Sequence, residues 1–185
     1  MAGFEELFRA LGEIPDGIDN AMKKGLKKGA VIVMKRAKLK LGTYQPGWPA
    51  LKPETVRKKH MSKTQAGRLT RAGRRYLREH GSWGTGGNDD SPLVDKGHLK
   101  QAITTDFSEL DQGVAYVGVA AGSGENGSST ADYAKIHEFG GMAGRGHRVH
   151  VPARPFLRPS LEESKEQIKD AVAQAIVEEL RRFGR

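Results

Sequence analysis

The sequence contains no cysteine among its 185 residues. A disulfide framework and a thiolate metal site are therefore both excluded. It also lacks a long apolar run, because the longest one, at positions 30–34, is far too short to span a bilayer. The acidic, amphipathic N-terminus has neither the basic start nor the apolar stretch of a secretory signal. These absences predict a soluble protein that is made and used in the cytoplasm, with no membrane partner.

Motifs that carry catalysis or cofactor binding are also missing or incomplete. The chain has no nucleophile elbow and no Walker loop. Residues 122–127 match the dinucleotide pattern GxGxxG, but no βαβ unit follows them, which favours an ordinary hairpin loop. His137 and Glu138 begin an HExxH motif, but Gly141 stands where the second histidine is needed. We therefore predict no cofactor, no metal ion and no enzymatic activity.

Positive charge is abundant and unevenly distributed. The net charge of +9 divides into +16 between positions 21 and 80 and −7 over the rest of the chain. Such a concentration repels itself unless an anion or an acidic surface lies nearby. Arginine is enriched after position 56, and its guanidinium binds phosphate or carboxylate through paired hydrogen bonds. The predicted contacts with DNA or a partner protein are Arg57, Lys58, Lys59, Arg68, Arg71, Arg74, Arg75 and Arg78.

Several interpretations of this basic segment remain open. Trp48, Tyr76 and Trp83 bracket the arginines, as aromatic residues do in single-strand binders. However, the sequence has no zinc-finger, KH or RRM signature, which disfavours selective DNA recognition. Contact with acidic partner subunits, or with DNA that passes nearby, is favoured instead. For the lysines between positions 23 and 40, a solvated helix face is the ordinary interpretation.

Apolar periodicity predicts an α+β fold, in which a small antiparallel β-sheet packs against two long helices. The first long helix is predicted to run from Asp16 to Leu41, after a short helix at 3–12 and a break at Pro15. The second is predicted to begin at Leu161. The other predicted elements are short helices at 95–102 and 131–141 and strands at 102–107, 113–120 and 147–152.

Residues 43–94 are predicted to form a long, basic arm within a single domain of residues 1–185. Apart from a basic helix around Leu69 to Tyr76, this segment shows no sustained apolar pattern. Its proline, glycine and charge content predicts that it cannot bury a core of its own. We expect it to become ordered against neighbouring subunits, with the glycine-rich stretch at 81–91 as a mobile loop.

Four groups of residues occur in order along the chain: 48–55, 92–99, 133–140 and 152–157. Together they resemble the phage virion morphogenesis (tail completion) family of tailed bacteriophages. The resemblance extends over roughly positions 45–180, and the glycine-rich insert near 81–91 departs from it. The residues that carry the resemblance, with fold roles first, are Trp48, Gly97, Tyr133, His137, Phe139, Gly140, Pro152, Arg154, Pro155 and Phe156.

The chemistry of these residue types suggests how they shape the chain. Gly140 and Gly141 permit a positive φ at the exit of a short helix. Pro152 and Pro155 hold the chain extended, and Phe156 and Leu157 are expected to anchor it in the core before the final helix.

The resemblance implies a structural virion protein without catalysis. It implies a homo-oligomeric ring, hexameric or larger, at the head–tail junction, where it joins the tail to the head. The expected partners are head-closure or connector proteins and tail-terminator or tail-tube proteins, with non-specific contact to genomic DNA in the channel. The expected location is the neck or tail of the virion, after assembly in the host cytoplasm. The alternative function is that of a sequence-independent basic DNA-binding protein.

Overall fold

The computed structural model of the protein describes residues 2–61, 65, 67–121, 129–144 and 146–183. In chain order, its helices and strands are α1 (Ala2–Lys40), α2 (Pro53–Lys59), α3 (Arg71–His80), α4 (His98–Ala102), β1 (Ile103–Asp106), β2 (Tyr116–Val119), α5 (Thr130–Phe139), β3 (Gly141–Ala143), β4 (Val149–Val151) and α6 (Leu157–Phe183). Strands β1 and β2 form one antiparallel sheet, and β3 and β4 form another. The predicted α+β class is confirmed.

The chain divides into two compact units. Unit 1 comprises Met1–Arg36, Ile103–Gly118 and Leu157–Arg185, and unit 2 comprises Ala37–Ala102 and Val119–Phe156. The prediction of a single domain with an arm at 43–94 stays a prediction. Within the described residues, no helix is long and apolar enough to cross a membrane.

Helix α1 is continuous through Pro15. The predicted break at this residue is therefore wrong. Proline fixes φ near the helical value, so a helix can continue through it at the expense of one backbone hydrogen bond, at a cost of roughly 3 kcal/mol. Helix α6 begins at Leu157, four residues before the predicted start at Leu161. Pro159 lies in its first turn, where a missing backbone N–H leaves no hydrogen bond unmade.

In unit 1, α6 packs closely against α1 because two glycines lie at the contact. A Cβ atom added at Gly25 would lie 2.6 Å from the Cα atom of Val172. One added at Gly29 would lie 3.0 Å from the Cγ2 atom of Ile168. The two glycines are one helical turn apart, so they leave one continuous strip of α1 without side chains. Helix α6 fills that strip, and no predicted element or motif pointed to it.

In unit 2, residues 43–94 contain α2, α3 and a buried carboxylate. Asp90 is almost fully buried, and its carboxylate accepts hydrogen bonds from the hydroxyls of Tyr44 (3.0 Å) and Tyr76 and from the backbone N–H of Gly86 (3.0 Å). Val56 is also buried. The prediction that this segment cannot bury a core of its own is therefore wrong, because buried groups within it contact one another. The glycines of 81–91 let the backbone turn around the carboxylate of Asp90. The ordering of residues 43–94 against neighbouring subunits stays a prediction.

Strands β3 and β4 form a short antiparallel hairpin in unit 2. Met142 pairs with His150, and Ala143 pairs with Val149. Strand β4 lies within the predicted strand at 147–152, whereas β3 was not predicted because three residues that include a glycine give no readable alternation. Nearly every described residue from Met142 to His150 is exposed.

Candidate functional site

The four groups of residues that carry the family resemblance contribute to one groove in unit 2. This motif groove has a volume of about 640 Å³. Its walls come from stretches of the chain that are up to 105 residues apart. The residues that line it are Pro49, Ala50, Leu51, Lys52, Thr55, Lys59, Leu93, Val94, Asp95, Tyr133, His137, Val149, His150, Val151, Pro152 and Arg154.

Arg154 ties two of these stretches together. Only 5% of its surface is exposed. Its Nη2 atom donates to the backbone oxygens of Pro49 (2.9 Å) and Ala50 (3.4 Å), and its Nε atom donates to Pro49 as well (3.3 Å). Its own backbone N–H donates to the oxygen of His137 at 2.6 Å. The guanidinium is thus hydrogen-bonded to the backbone of the loop that follows Trp48. The side chain of Trp48 is also buried.

Helix α5 contributes a buried acid and a buried histidine to the same region. The Oε2 atom of Glu138 accepts a hydrogen bond from the backbone N–H of Phe156 at 2.8 Å, and Phe156 is fully buried as predicted. His137 is buried, and its ring meets the edge of Tyr133 at 4.3 Å between centroids. Burial, and secondarily the charge of Arg154, lowers the pKa of His137 to about 4. His137 is therefore neutral at pH 7.

Gly140 makes the turn from α5 into β3. Its φ is +73°, and that of Gly141 is +153°, which confirms the predicted positive φ at both glycines. A Cβ atom at Gly140 would also lie 3.1 Å from the backbone nitrogen of Ala153. The close approach of the segment before Arg154 therefore requires glycine here for two reasons, conformation and space.

On either side of this turn lies an exposed apolar surface, which we call the hairpin surface and define by Phe139, Met142 and Val149. Their exposed fractions are 72%, 47% and 53%. Cross-strand partners point to the same face of a sheet, and neighbouring pairs point to opposite faces. Met142 and Val149 belong to neighbouring pairs, so each face of the hairpin presents an apolar side chain to solvent.

A second exposed surface lies on α3. Its arginines recur at positions 71, 74, 75 and 78, which places them on one face of the helix. All four are exposed, and together with Ala72 they line a shallow depression of about 580 Å³. We call this the arginine surface. Its ion pair with Glu79 is long, at 3.8 Å from Nε of Arg75.

The other basic candidates are placed differently. Lys59 is half-buried, and its ammonium donates to the backbone oxygens of Asp90 (3.1 Å) and Ser91 (2.5 Å). It is not part of the arginine surface. Arg57, Lys58 and Arg68 are exposed but do not line the depression on α3.

The aromatic residues that bracket the arginines do not form a stacking platform for bases. Tyr76 is buried and stacks on Trp83 at 5.1 Å between ring centroids, with His60 5.5 Å from Trp83. Trp48 is buried as well. The predicted likeness to single-strand binders is therefore wrong, because Tyr76 and Trp83 stack on each other and Trp48 is buried.

Two features of unit 2, the buried Asp90 and one acidic cluster, were not indicated by any sequence pattern. Among the described residues, Glu79, His80 and Asp89 lie close enough together to surround a cation. However, His80 already pairs with Asp89 at 2.9 Å, and Glu79 faces Arg75. The cluster carries no further argument, and the prediction of no metal ion stays a prediction. The GxGxxG residues, 122–127, lie outside the described part of the chain.

Comparisons with known proteins agree with the resemblance. Residues 83–177 match the sequence model of the Phage virion morphogenesis family. The Mu-like prophage FluMu G protein 2 of Haemophilus influenzae is 42% identical over 67 residues. Those residues make up 36% of this chain and 39% of that protein, so the match spans about two fifths of the curated relative. No solved structure matches the chain.

The matched residues include three of the four groups that line the motif groove, those that contain Asp95, Tyr133 and Arg154. They exclude the arginine surface. The match covers just over half of the 185 residues. The chain therefore belongs to the phage virion morphogenesis family.

Proposed function

We propose that this protein is a structural subunit that forms a ring at the head–tail junction of a tailed phage and joins the tail to the head. In this role it has no catalytic activity, and it meets head-closure or connector proteins on one side and tail-terminator or tail-tube proteins on the other. Membership of the virion morphogenesis family supports a part in virion assembly. The observation that carries the ring is the hairpin surface, which presents apolar side chains on both faces.

A two-stranded hairpin is marginally stable alone. Phe139, Met142 and Val149 leave apolar area in water, where burial would stabilise the protein by about 25 cal/mol per Å². An apolar patch flanked by polar residues is typical of a protein–protein contact. These features support insertion of the hairpin against a neighbouring subunit.

The occupant that fits this surface is a second copy of the chain. Residues 139–152 contain arginine and histidine but no acid. Residues 161–180 of α6 contain six acids and two lysines, and they expose Leu161, Val177 and Leu180. The two surfaces are therefore complementary in both charge and apolarity. Because they differ from each other, the contact is head-to-tail, and such a contact closes into a ring when the rotation between copies permits.

The contact is tested with the double variant Phe139→Asp, Met142→Asp. The control is Leu39→Asp, because the side chain of Leu39 is as exposed (73%) as that of Phe139 but lies on α1, away from the hairpin surface in sequence. We expect wild type and the control to form discrete oligomers in native mass measurements as concentration rises. The double variant should remain monomeric, because two buried carboxylates oppose the contact. If the double variant assembles like wild type, the hairpin is not the contact.

Charge reversal provides a second test of the same pairing. Arg148 is an exposed cation on the hairpin, and Glu178 is an exposed acid of α6 that also contacts Lys24 of the same chain at 3.5 Å. The single change Glu178→Arg is therefore measured alongside, to separate its effect on that internal contact. Arg148→Glu should weaken assembly, and the added change Glu178→Arg should restore part of it. If Glu178→Arg brings no recovery, the acidic face of α6 is not the partner surface.

The position in the virion is tested in phage that lack this protein. Electron microscopy should show DNA-filled or fillable heads together with separate or unstable tails. Normal infectious particles, or the absence of procapsids, would contradict the proposal. Localisation of the labelled subunit in intact particles distinguishes a ring at the neck from one elsewhere along the tail.

A further inference from the structure

The arginine surface is held rigidly although its side chains are exposed. Thr70 caps the N-terminus of α3 by accepting a hydrogen bond from Gly73 at 3.0 Å, and Gly81 ends the helix with a φ of +72°. On the opposite face Tyr76 is buried and donates to Asp90. The helix therefore presents its arginines from a fixed scaffold.

These arginines lie close together and are largely uncompensated. Positions 71 to 78 cover roughly 10 Å of helix axis at about 1.5 Å per residue. Within the described part of the chain, Arg71 and Arg78 have no ion pair, and Arg75 has only the long pair with Glu79. Arg74 donates to the backbone oxygen of Leu69 at 2.9 Å, which leaves its charge unneutralised. The surface thus attracts an anion with several charges.

The composition of the surface selects nucleic acid over protein. The centre of a protein–protein contact also uses arginine, but there it is combined with apolar and aromatic side chains. No large apolar side chain is exposed in the described residues of α2 or α3. The nearby rings of Tyr76 and Trp83 stack on each other, so bases have no platform there. What remains is a set of guanidinium groups, which suit phosphate oxygens.

We propose that the arginine surface binds the phosphate backbone of duplex DNA without reading its sequence. About 10 Å of duplex carries roughly six phosphate charges, enough to engage all four arginines. Backbone contacts of this kind carry no sequence information and permit movement along the duplex. This binding goes beyond the proposed assembly role and does not depend on it, because the arginine surface and the hairpin surface share no residue.

The test uses the full-length protein and a fluorescent 30-base-pair duplex, with anisotropy measured at several salt concentrations. In one variant Arg71, Arg74, Arg75 and Arg78 are all changed to glutamine. The matched control changes the exposed Lys28, Lys35, Lys100 and Lys135 to glutamine, which removes the same charge elsewhere. Circular dichroism verifies that both variants are folded, and native mass measurement verifies that both assemble.

We expect the arginine variant to bind duplex at least ten-fold more weakly than wild type. The slope of log affinity against log salt should become shallower by roughly 3 to 4, at about 0.9 for each phosphate that the variant no longer neutralises. The lysine control should bind less than about three-fold more weakly, since long-range attraction between exposed charges is screened by salt. An Arg→Lys version of the four changes should fall between wild type and the glutamine variant, because it keeps charge but cannot form the paired hydrogen bonds.

Three results would overturn the proposal. One is equal weakening in the arginine and lysine variants, which would assign the binding to net charge alone. Another is duplex binding that is unchanged in the arginine variant. The last is equal competition by polyglutamate at matched charge, which would assign the surface to an acidic protein. If the protein forms normal oligomers but does not bind duplex DNA, only the DNA proposal fails. If it binds duplex DNA through the arginine surface but does not form oligomers, only the ring proposal fails.

Discussion

The motif groove and the arginine surface use the same side chain in opposite ways. In the groove, Arg154 is buried and donates to the backbone of Pro49 and Ala50. On α3, Arg71 and Arg78 are exposed and, within the described residues, have no partner of this kind. Both regions belong to unit 2. The difference lies in where the guanidinium is satisfied, by the protein's own carbonyls in one case and by solvent in the other.

This comparison separates structural charge from charge that is available for binding. A buried cation must be hydrogen-bonded, because its desolvation is otherwise too costly. Its removal therefore affects folding. An exposed cluster of like charge adds little to stability and is free to bind an external anion. Sequence position alone does not distinguish the two, since Lys59 lies beside Arg57 and Lys58 and is committed to internal carbonyls.

The largest expected change in stability follows from removal of the buried guanidinium of Arg154. Arg154→Met should lower the free energy of unfolding by roughly 3 kcal/mol, because two backbone oxygens lose their donor while the apolar part of the side chain is kept. Arg75→Met is the matched control on α3 and should change it by no more than about 0.5 kcal/mol. Chemical denaturation measures both. Equal losses in the two variants would remove the distinction between the regions.

Two glycines with nearly equal φ sharpen the comparison further. Gly140→Ala should destabilise the protein by about 2 to 3 kcal/mol. The backbone at this positive φ becomes strained once a side chain is present, and the added methyl group also lies too close to Ala153. Gly81→Ala, at the end of α3, should lower the free energy of unfolding by only about 1 kcal/mol. Its φ of +72° disfavours a side chain, but no atom lies within 4 Å of the added Cβ atom. Thermal unfolding ranks the two variants. A larger loss of stability in Gly81→Ala than in Gly140→Ala would show that the segment before Arg154 can move to accommodate the added methyl group.

His137 predicts a pH dependence that belongs to the motif groove. Its folded pKa of about 4 lies below its ordinary value of 6.5, so the unfolded chain binds the proton more readily between these values. Stability from this group is therefore complete above pH 6.5 and is lost as the pH falls towards 4. Between pH 7 and pH 5 the loss should be about 2 kcal/mol.

The measurement compares wild type with His137→Gln by denaturation at pH 8, 7 and 5. The difference between the two proteins should be nearly constant from pH 8 to 7 and should shrink by about 2 kcal/mol at pH 5. A difference that stays constant down to pH 5 would place His137 in a solvated environment. The buried Nδ1 atom of this ring has no hydrogen-bond partner among the described residues, which agrees with a site that resists protonation.

Much of the candidate site could be predicted from residue types and their order. The groups around Trp48, Asp95, Tyr133 and Arg154 indicated the family, and the arginine spacing of α3 indicated a charged helix face. Positive φ at Gly140 and burial of Phe156 were also predicted correctly. These features depend on local conformation or on a short motif, and both can be read within about ten residues.

Sequence by itself determined the α+β class, the two long apolar periods and the concentration of positive charge, because each is a local property of the chain. Tertiary structure alone decided which charges are buried, how Asp90 anchors the glycine-rich stretch, and where Gly25 admits α6. It also brought Arg154 to Pro49, across 105 residues. Periodicity identifies the face that a segment buries, but the partner of that face is set by packing between distant segments, which no local pattern records.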